Sequence, residues 1–288
     1  NGENSQTAIL DSLISKSIPP IPKHFKIFAR NENGFFIINE RDQSVFKWID
    51  PEKLECNGID GKGKLSRSGR RNFQGMPFHA DFSAKGYYES NDSGFKKSIK
   101  DFGGYYVSVW KARKNGINDI ASFSGDGEIV DLITFPEAKE QAESYAKQYA
   151  ENGEFISEVP CGAAMDCVFE EIFERFYKEL LKIGNETEYE AWNRYAELKR
   201  NDFMTNGIYG IYDLIGSGEE MTSEGQTNIE LMVAVRCGER GLDLIAHNER
   251  YQTPRKAYFA LGHRNFKASE YRVHECGYRI VLFPQKQN

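Results

Sequence analysis

The chain has 288 residues, with 43 acidic and 37 basic residues and a formal net charge of −6. This length is enough for one large domain, or two small ones, with a sizeable buried core. The negative charge argues against a general polyanion-binding protein, so we expect no specific nucleic-acid partner. Because no run of 18 apolar residues occurs, the sequence also predicts no membrane span.

The N-terminal residues, 1–20, are predicted to form a tail or docking segment. Four aliphatic residues there have helical spacing, and the pattern stops at Pro19: Ile9, Leu10, Leu13 and Ile14. Such a stretch is typical of a segment that docks on a partner or on the body of the protein. Simple local packing is the open alternative.

Residues 21–50 are predicted to contain strands. The runs 34–38 and 44–49 are rich in β-branched and aromatic residues, and the polar stretch 39–43 between them indicates a hairpin. Residues 55–100 differ, because glycine, serine and cations dominate them. We expect a long, mobile insertion near 55–100, whose cations form a solvated loop or, as the alternative, a phosphate-binding patch: Lys62, Lys64, Arg67, Arg70 and Arg71.

Alternation over residues 104–111 predicts a further strand. Thr134 is a suitable N-cap because Glu137 stands three residues later, and a helix is expected from there to about Ala150. A second helix is predicted over 162–182 and a third over 186–200. Beyond residue 207, short β runs and glycine-rich turns replace the helical pattern.

The five cysteines are odd in number and form no Cys-x-x-Cys pair: Cys56, Cys161, Cys167, Cys237 and Cys276. This spacing indicates neither a zinc site nor a disulfide framework. Buried, reduced, structural thiols are the expectation.

Three short blocks close the chain in a fixed order, at residues 207–216, 232–238 and 276–282. With the preceding elements, they resemble the formylglycine-generating-enzyme (sulfatase-modifying factor) family, a variant of the C-type lectin fold. Residues 210–221 line up with its Gly-hydrophobic-Tyr-Asp-Met-x-Gly-Asn-Val-Trp-Glu-Trp run. Val235-Arg236-Cys237-Gly238 is similar to its Val-x-Arg-Gly-Gly block, and Gly277-Tyr278-Arg279 to its closing Gly-Phe-Arg.

The departures from the family bear on function. Members that make formylglycine carry a copper-binding cysteine pair shortly after Arg-Gly-Gly, whereas this chain has Cys237 within that block and Cys276 before the last one. Ser217 stands in place of the asparagine that serves a calcium site in some relatives. The resemblance therefore implies no catalytic residue, no metal ligand and no cofactor. Calcium at Asp213 and Glu220, and a divergent metal-dependent oxidase at the two cysteines, remain alternatives.

Binding is predicted between the second and third blocks, at residues 239–275. In C-type lectin folds the loops before the last strand vary on a rigid scaffold. This segment is rich in arginine and aromatic residues, which dominate binding hot spots. The alternative is that some of its aromatic residues complete the core. The predicted ligand-binding residues are Arg240, His247, Arg250, Tyr251, Tyr258, His263, Arg264 and Phe266.

The sequence thus predicts an α+β domain over residues 21–288, of C-type lectin-like type, loop-rich, with two main helices packed on short antiparallel sheets. The expected function is a non-catalytic binding or structural module of a virion, such as a phage, or of a cell surface. Its expected partners are a cell-surface receptor or glycan, other virion or surface proteins, or a second copy of the chain.

Overall fold

A computed structural model describes residues 18–51, 87–89, 93–114, 121–150, 153–162, 164–165, 167–168, 171, 210–213, 219–226, 229–237, 264–268 and 276–286. For residues 87–89, 93, 219, 224–226, 229–237 and 264–268 it describes the backbone only. The elements in chain order are β1 (Phe25–Asn31), β2 (Gly34–Asn39), β3 (Val45–Ile49), β4 (Tyr87–Glu89), α1 (Ser93–Phe102), β5 (Tyr105–Ser108), α2 (Phe135–Tyr149), β6 (Phe155–Glu158), β7 (Glu219–Gln226), β8 (Ile229–Cys237), β9 (Arg264–Ala268), β10 (Cys276–Gly277) and β11 (Val281–Pro284).

The strands form two sheets. The first has six antiparallel strands in the order β1-β2-β3-β5-β11-β6, so the last strand of the chain lies between β5 and β6. The second has the order β10-β7-β8-β9, with β4 also paired to β7. Only the β10–β7 pair is parallel among these described pairs. Mostly antiparallel sheets with separate helices confirm the predicted α+β class.

The predicted hairpin is β2 and β3, and its turn is held by side chains. Asn39 donates its backbone N–H to the carbonyl of Ser44 at 2.8 Å. The Asp42 carboxylate accepts from the backbone N–H of Ser44 at 3.0 Å and from its hydroxyl at 2.7 Å. These local bonds close the turn and fix the register of the two strands.

Helix α2 begins as predicted. Thr134 is its N-cap, its hydroxyl accepts from the backbone N–H of Glu137, and the Glu137 carboxylate accepts from the backbone N–H of Thr134 at 2.8 Å. This reciprocal capping box satisfies backbone donors that the first turn leaves free. The helix buries Ala138, Ala142 and Ala146 against the first sheet. The prediction of a helix from residue 134 to about 150 is confirmed.

Helix α1 lies at the end of the stretch that was expected to be an insertion. Phe95 and Ile99, four residues apart and therefore on one helix face, are buried. Phe95 packs edge-on against Tyr105, with ring centroids 5.4 Å apart, and the Ser98 hydroxyl donates to the Gly104 carbonyl at 2.5 Å. The five predicted cations, residues 62–71, lie outside the described residues.

The core lies between the first sheet and α2, and aromatic rings fill much of it. Tyr145 on α2 contacts Phe46 on β3 and Phe123, with ring centroids 5.6 Å and 5.5 Å apart. Tyr145 also accepts a hydrogen bond from the Asn39 amide at 2.9 Å and donates to Asp42 at 3.2 Å. The high aromatic content of the sequence therefore serves packing as well as any surface role.

Two predicted helices are described in part or not at all. Gly162, Ala164, Met165, Cys167, Val168 and Glu171 are helical, in agreement with the start of the helix expected over 162–182. The remainder of that helix, the third helix over 186–200 and the N-terminal residues 1–17 lie outside the described residues. In the described part of the chain, no helix has the length and apolar character needed to cross a membrane.

Candidate functional site

A buried ion pair lies where the C-terminal blocks meet. Arg279, between β10 and β11, is 0 % exposed, and Glu220 on β7 is 1 % exposed. The Arg279 Nε donates to both carboxylate oxygens of Glu220, at 2.9 Å and 3.0 Å, and its Nη2 donates to the same carboxylate. Two charges withdrawn from water are tolerated only with such close, multiple bonding.

The rest of the Arg279 guanidinium is bonded to backbone carbonyls. Its Nη1 donates to the carbonyl of Ser108 at 2.8 Å and to that of Val109 at 3.3 Å. Its Nη2 donates to the carbonyl of Tyr212 at 2.9 Å. Each guanidinium nitrogen thus has an acceptor, and one side chain links the end of β5, the segment 210–213 and β7.

The three sequence blocks converge on this pair. Tyr212 belongs to the first block, Glu220 lies four residues beyond that block in the run 210–221, and Arg279 belongs to the last block. The middle block is next to this pair because its residue Arg236, on β8, is the register partner of Glu220 on β7. Blocks that are far apart in sequence therefore form one structural unit around Arg279.

Lys111 is a further buried cation of this cluster and was not predicted from the sequence. It is 0 % exposed. Burial lowers the pKa of its amine, an effect that the neighbouring Glu220 carboxylate opposes. Gly277 explains how the lysine fits, because a Cβ at that position would lie 3.3 Å from the Lys111 Cδ and 3.2 Å from Ile129.

Asp213 completes the charged cluster. It is buried, forms an ion pair with Arg113, and has a φ angle of +55°. Such left-handed backbone is uncommon outside glycine, although aspartate tolerates it better than most residues. Next to it, Tyr212 stacks on Trp110 with ring centroids 4.8 Å apart at an interplanar angle of 22°. The run that begins at Gly210 is therefore fixed by both charge and stacking.

The alternative calcium site does not fit these contacts. Calcium takes six or more oxygen ligands, whereas the carboxylates of Asp213 and Glu220 are each paired with an arginine. The described residues also contain no group of three or more His, Cys, Asp or Glu side chains placed to hold a metal ion.

The structure places the two cysteines of the oxidase alternative on opposite sides of β7. Glu219 is the register partner of Cys276 on β10 and also of Cys237 on β8. Two strand spacings, about 9.6 Å, therefore separate the two cysteine backbones. Cys276, like Cys161 and Cys167, is buried, as expected for structural thiols.

Two of the predicted ligand-binding residues lie on a described strand. Arg264 and Phe266 are on β9, in register with Arg236 and Ala234 of β8. Their side chains are not described. The other six lie outside the described residues: Arg240, His247, Arg250, Tyr251, Tyr258 and His263.

The buried cluster differs from what the sequence pattern indicated. Glu220 and Asp213 were considered as metal ligands, but the structure pairs them with Arg279 and Arg113. The arginine of the closing Gly-Tyr-Arg was the signal that the sequence offered for this pair.

No family model matches the chain, and comparisons with curated proteins and with solved structures likewise find no match.

Proposed function

We propose that the chain is a non-catalytic binding module with a C-type lectin-like scaffold of the formylglycine-generating-enzyme type, carried on a virion or a cell surface. Residues 239–275 form its binding face. The partner class is a cell-surface glycan or protein receptor.

One observation carries the proposal: both ends of this segment are anchored to the same strand. The segment leaves β8 after Cys237, contributes β9 to the same sheet at Arg264–Ala268, and ends at Cys276 on β10. Both cysteines are in register with Glu219 of β7. Residues presented by such a scaffold can vary in sequence without loss of the fold.

The buried cluster supports this role because it stiffens the anchor. Glu220 follows Glu219 on β7, and Arg279 follows β10 by two residues. Their ion pair therefore lies directly beside both attachment points. A preorganised support reduces the ordering cost of binding.

The arginine and tyrosine residues of the segment 239–275 support a surface that recognises both polar and apolar groups. Arginine supplies planar, charged hydrogen-bond donors, and tyrosine offers a flat ring with a polar hydroxyl. Both residue types are enriched where binding energy is concentrated. Glycans present hydroxyl groups and apolar ring faces, so they match this combination, as does the rim of a protein receptor.

The oxidase alternative is disfavoured by the geometry around β7. Thiolates that share one metal ion lie about 2.3 Å from it, so their sulfurs are at most about 4.6 Å apart. The backbones of Cys237 and Cys276 are about twice that distance apart, with β7 between them. A shared copper or other metal would need both side chains to lean across an intervening strand.

Combined replacement of Tyr251, Tyr258 and Arg264 by alanine tests the binding face. Wild type and variant are compared on a glycan array and on a panel of intact bacterial cells. We expect the wild type to bind at least one surface and the variant to lose roughly tenfold or more in affinity, as expected for hot-spot residues.

The control is the double variant Phe28→Ala with Arg30→Ala, which removes an exposed aromatic ring and an arginine from β1. It should bind as the wild type does. Equal binding by the triple variant and the wild type would refute the proposed face. A wild type that binds none of these surfaces but assembles with capsid or tail proteins would replace the binding role with a structural one.

A further inference from the structure

A row of charged residues crosses the second sheet. Glu220 on β7 is the register partner of Arg236 on β8, and Arg236 is in turn the register partner of Arg264 on β9. Residues directly opposite each other in antiparallel strands share one face, with Cβ atoms about 4.5–5.5 Å apart. We call these three residues the arginine row. It ends on β9, which is the end strand in the order of the described sheet.

The described part of the row has more positive than negative charge. Arg236 and Arg264 are like charges in direct register, and such a pair destabilises two neighbouring strands. The carboxylate of Glu220 already accepts three hydrogen bonds from Arg279. Three guanidinium groups thus stand against one carboxylate. An anion bound at Arg236 and Arg264 would remove this imbalance.

The other described carboxylate of the cluster is engaged elsewhere. Asp213 and Glu220 are the two buried carboxylates among the side chains that the structure describes. Asp213 forms an ion pair with Arg113. The buried amine of Lys111 interacts electrostatically with both carboxylates. The cluster therefore adds cations to this region of the described chain as well as carboxylates.

The two arginines flank the proposed binding segment. Arg236 is the last residue but one of β8, and Arg264 is the first residue of β9. Residues 238–263 lie between these strands in sequence. Arg236 and Arg264 thus mark the points at which the chain leaves the sheet and rejoins it.

The residue types of the row indicate the chemistry of a ligand. A guanidinium group is a planar fork that binds carboxylate, sulfate or phosphate through paired hydrogen bonds. Phe266 is two residues beyond Arg264 and in register with Ala234, so it belongs to the same face, about 6.8 Å along the strand. Aromatic residues provide flat apolar contacts. An acidic sugar offers both matching groups, an oxyanion and an apolar ring face.

We propose that Arg236 and Arg264 bind the oxyanion of an acidic glycan, a sugar chain that bears carboxylate or sulfate groups, with Phe266 against the sugar ring. This inference rests on the proposed function, because it names the ligand chemistry of the same face. The bound anion supplies the counter-charge that the row needs, so binding also stabilises the sheet.

Two substitutions on β9 form a matched pair. Arg264→Gln and Lys267→Gln each remove one positive charge, but Lys267 is three residues further on and therefore belongs to the opposite face. Binding is measured on a glycan array in which each acidic member is accompanied by its carboxyl-reduced or desulfated form. Wild type and Lys267→Gln should bind acidic members only. Arg264→Gln should bind roughly tenfold more weakly, as expected for loss of a charged hydrogen-bonding group.

The array also tests whether a sugar is the ligand. Polyglutamate presents carboxylates on a chain without sugar rings. If it competes as well as the acidic glycan does, and Arg264→Gln weakens both equally, the row recognises an acidic protein and the proposal is overturned. Equal losses in Arg264→Gln and Lys267→Gln would show that overall charge, rather than the row, attracts the ligand, and would overturn it too.

A second measurement is independent of adhesion. Glucuronate, compared with glucose at equal ionic strength, should raise the Tm of wild type and of Lys267→Gln more than that of Arg264→Gln. Adhesion to neutral glycans with equal glucuronate shifts in all three proteins would overturn this inference and leave the binding face intact. A selective glucuronate shift without binding to any glycan or cell would instead overturn the proposed function, and with it the acidic glycan as ligand.

Discussion

Arg279 bonds to three separate segments of the described chain. Removing a guanidinium and a carboxylate from water costs several kcal/mol for each, and their mutual bonds must offset that cost. Arg279 meets this requirement with one carboxylate and three backbone carbonyls. Because these acceptors come from distant parts of the chain, the residue acts as a crosslink between segments.

Breaking the buried pair should be strongly destabilising. Glu220→Gln leaves the Arg279 charge buried without its counter-ion, so we expect the free energy of unfolding to fall by about 3–5 kcal/mol. Urea denaturation measures the loss. The control is Glu128→Gln, which breaks the exposed pair with Lys114 and should change stability by about 1 kcal/mol or less.

A double variant separates charge from shape at the same site. Replacing both Glu220 and Arg279 by methionine removes the charges while keeping much of the volume, and it should be less damaging than Glu220→Gln alone. If the single and double variants both resemble the wild type, the ion pair does not hold these segments together.

Asp42 provides a pH-dependent prediction. Burial raises the pKa of its carboxyl above 3.8, an effect that hydrogen bonds from Ser44 and Tyr145 oppose. The folded state is therefore penalised when Asp42 is ionised. That penalty is present above the folded-state pKa and is relieved as the pH falls through that pKa.

Comparison with Asp42→Asn isolates this effect, because the other groups titrate equally in both proteins. The stability of the wild type relative to the variant should rise as the pH is lowered from 7 to about 4. The slope cannot exceed about 1.4 kcal/mol per pH unit for one proton. A stability of the wild type relative to the variant that stays constant, or that falls as the pH is lowered, would contradict this prediction.

At the scale of elements, the sequence was sufficient to predict a helix start or a turn where nearby side chains satisfy the backbone groups. The Thr134–Glu137 capping box and the turn between residues 39 and 44 satisfy backbone groups within a few residues, so their patterns can be read directly. Helix α1 had such a signal in the spacing of Phe95 and Ile99, but the polar residues around it favoured a loop.

Strand β7 could not be predicted from its own residues. Its sequence, Glu-Glu-Met-Thr-Ser-Glu-Gly-Gln, is mostly polar, has no aromatic residue, and has one β-branched residue, Thr222. In the structure it pairs with β8 on one side and with β4 and β10 on the other. Neighbouring strands therefore determine its conformation, and Arg279 makes the burial of Glu220 possible.

Gly210, which opens the run ending at Met221, is required by backbone shape and by packing. It has a φ of +77°, and a Cβ there would lie 2.5 Å from the Phe36 ring. Gly153 has a similar φ of +70°, but a Cβ there would meet nothing within 4 Å. Both alanine substitutions carry the strain of left-handed backbone, and only that at Gly210 adds a clash.

The two glycines form a matched pair for measurement. Gly210→Ala should reduce the free energy of unfolding by about 1–3 kcal/mol more than Gly153→Ala does, since overpacking has costs of this size. Thermal or urea unfolding provides both values. Equal losses would show that Phe36 moves aside at little cost and that Gly210 does not fix the run against β2.

For the whole molecule, the sequence predicted the α+β class and the importance of the C-terminal blocks, but not how the blocks meet. Arg279 and Glu220 are 59 residues apart in sequence. The hydrogen bond from Arg279 to the Ser108 carbonyl joins residues 171 positions apart. Every residue has a backbone carbonyl, so a sequence pattern does not indicate which of them will accept a hydrogen bond. Lys111 was missed for the same reason, because its burial depends on β10 and on the space left by Gly277.

We propose that the described sheets, β9 included, act as a support and that the rest of residues 239–275 is the main surface that recognises a partner. These two parts should therefore be separable. Loops on a scaffold can change in sequence at little thermodynamic cost, whereas residues that complete a core cannot. If the aromatic residues of the segment complete the core, replacing them will destabilise the fold. If they contact a partner instead, replacing them will leave the stability almost unchanged.

Replacement of residues 239–263 by a glycine-serine linker of equal length, with β9 kept intact, tests this claim most directly. Unfolding and binding to the glycan or cell surface that the wild type recognises are then measured on the same preparation. We predict that the free energy of unfolding stays within about 1 kcal/mol of the wild type, while binding is lost. Retained binding, or a loss of several kcal/mol in stability, would contradict the claim that this segment is the binding face on an independent support.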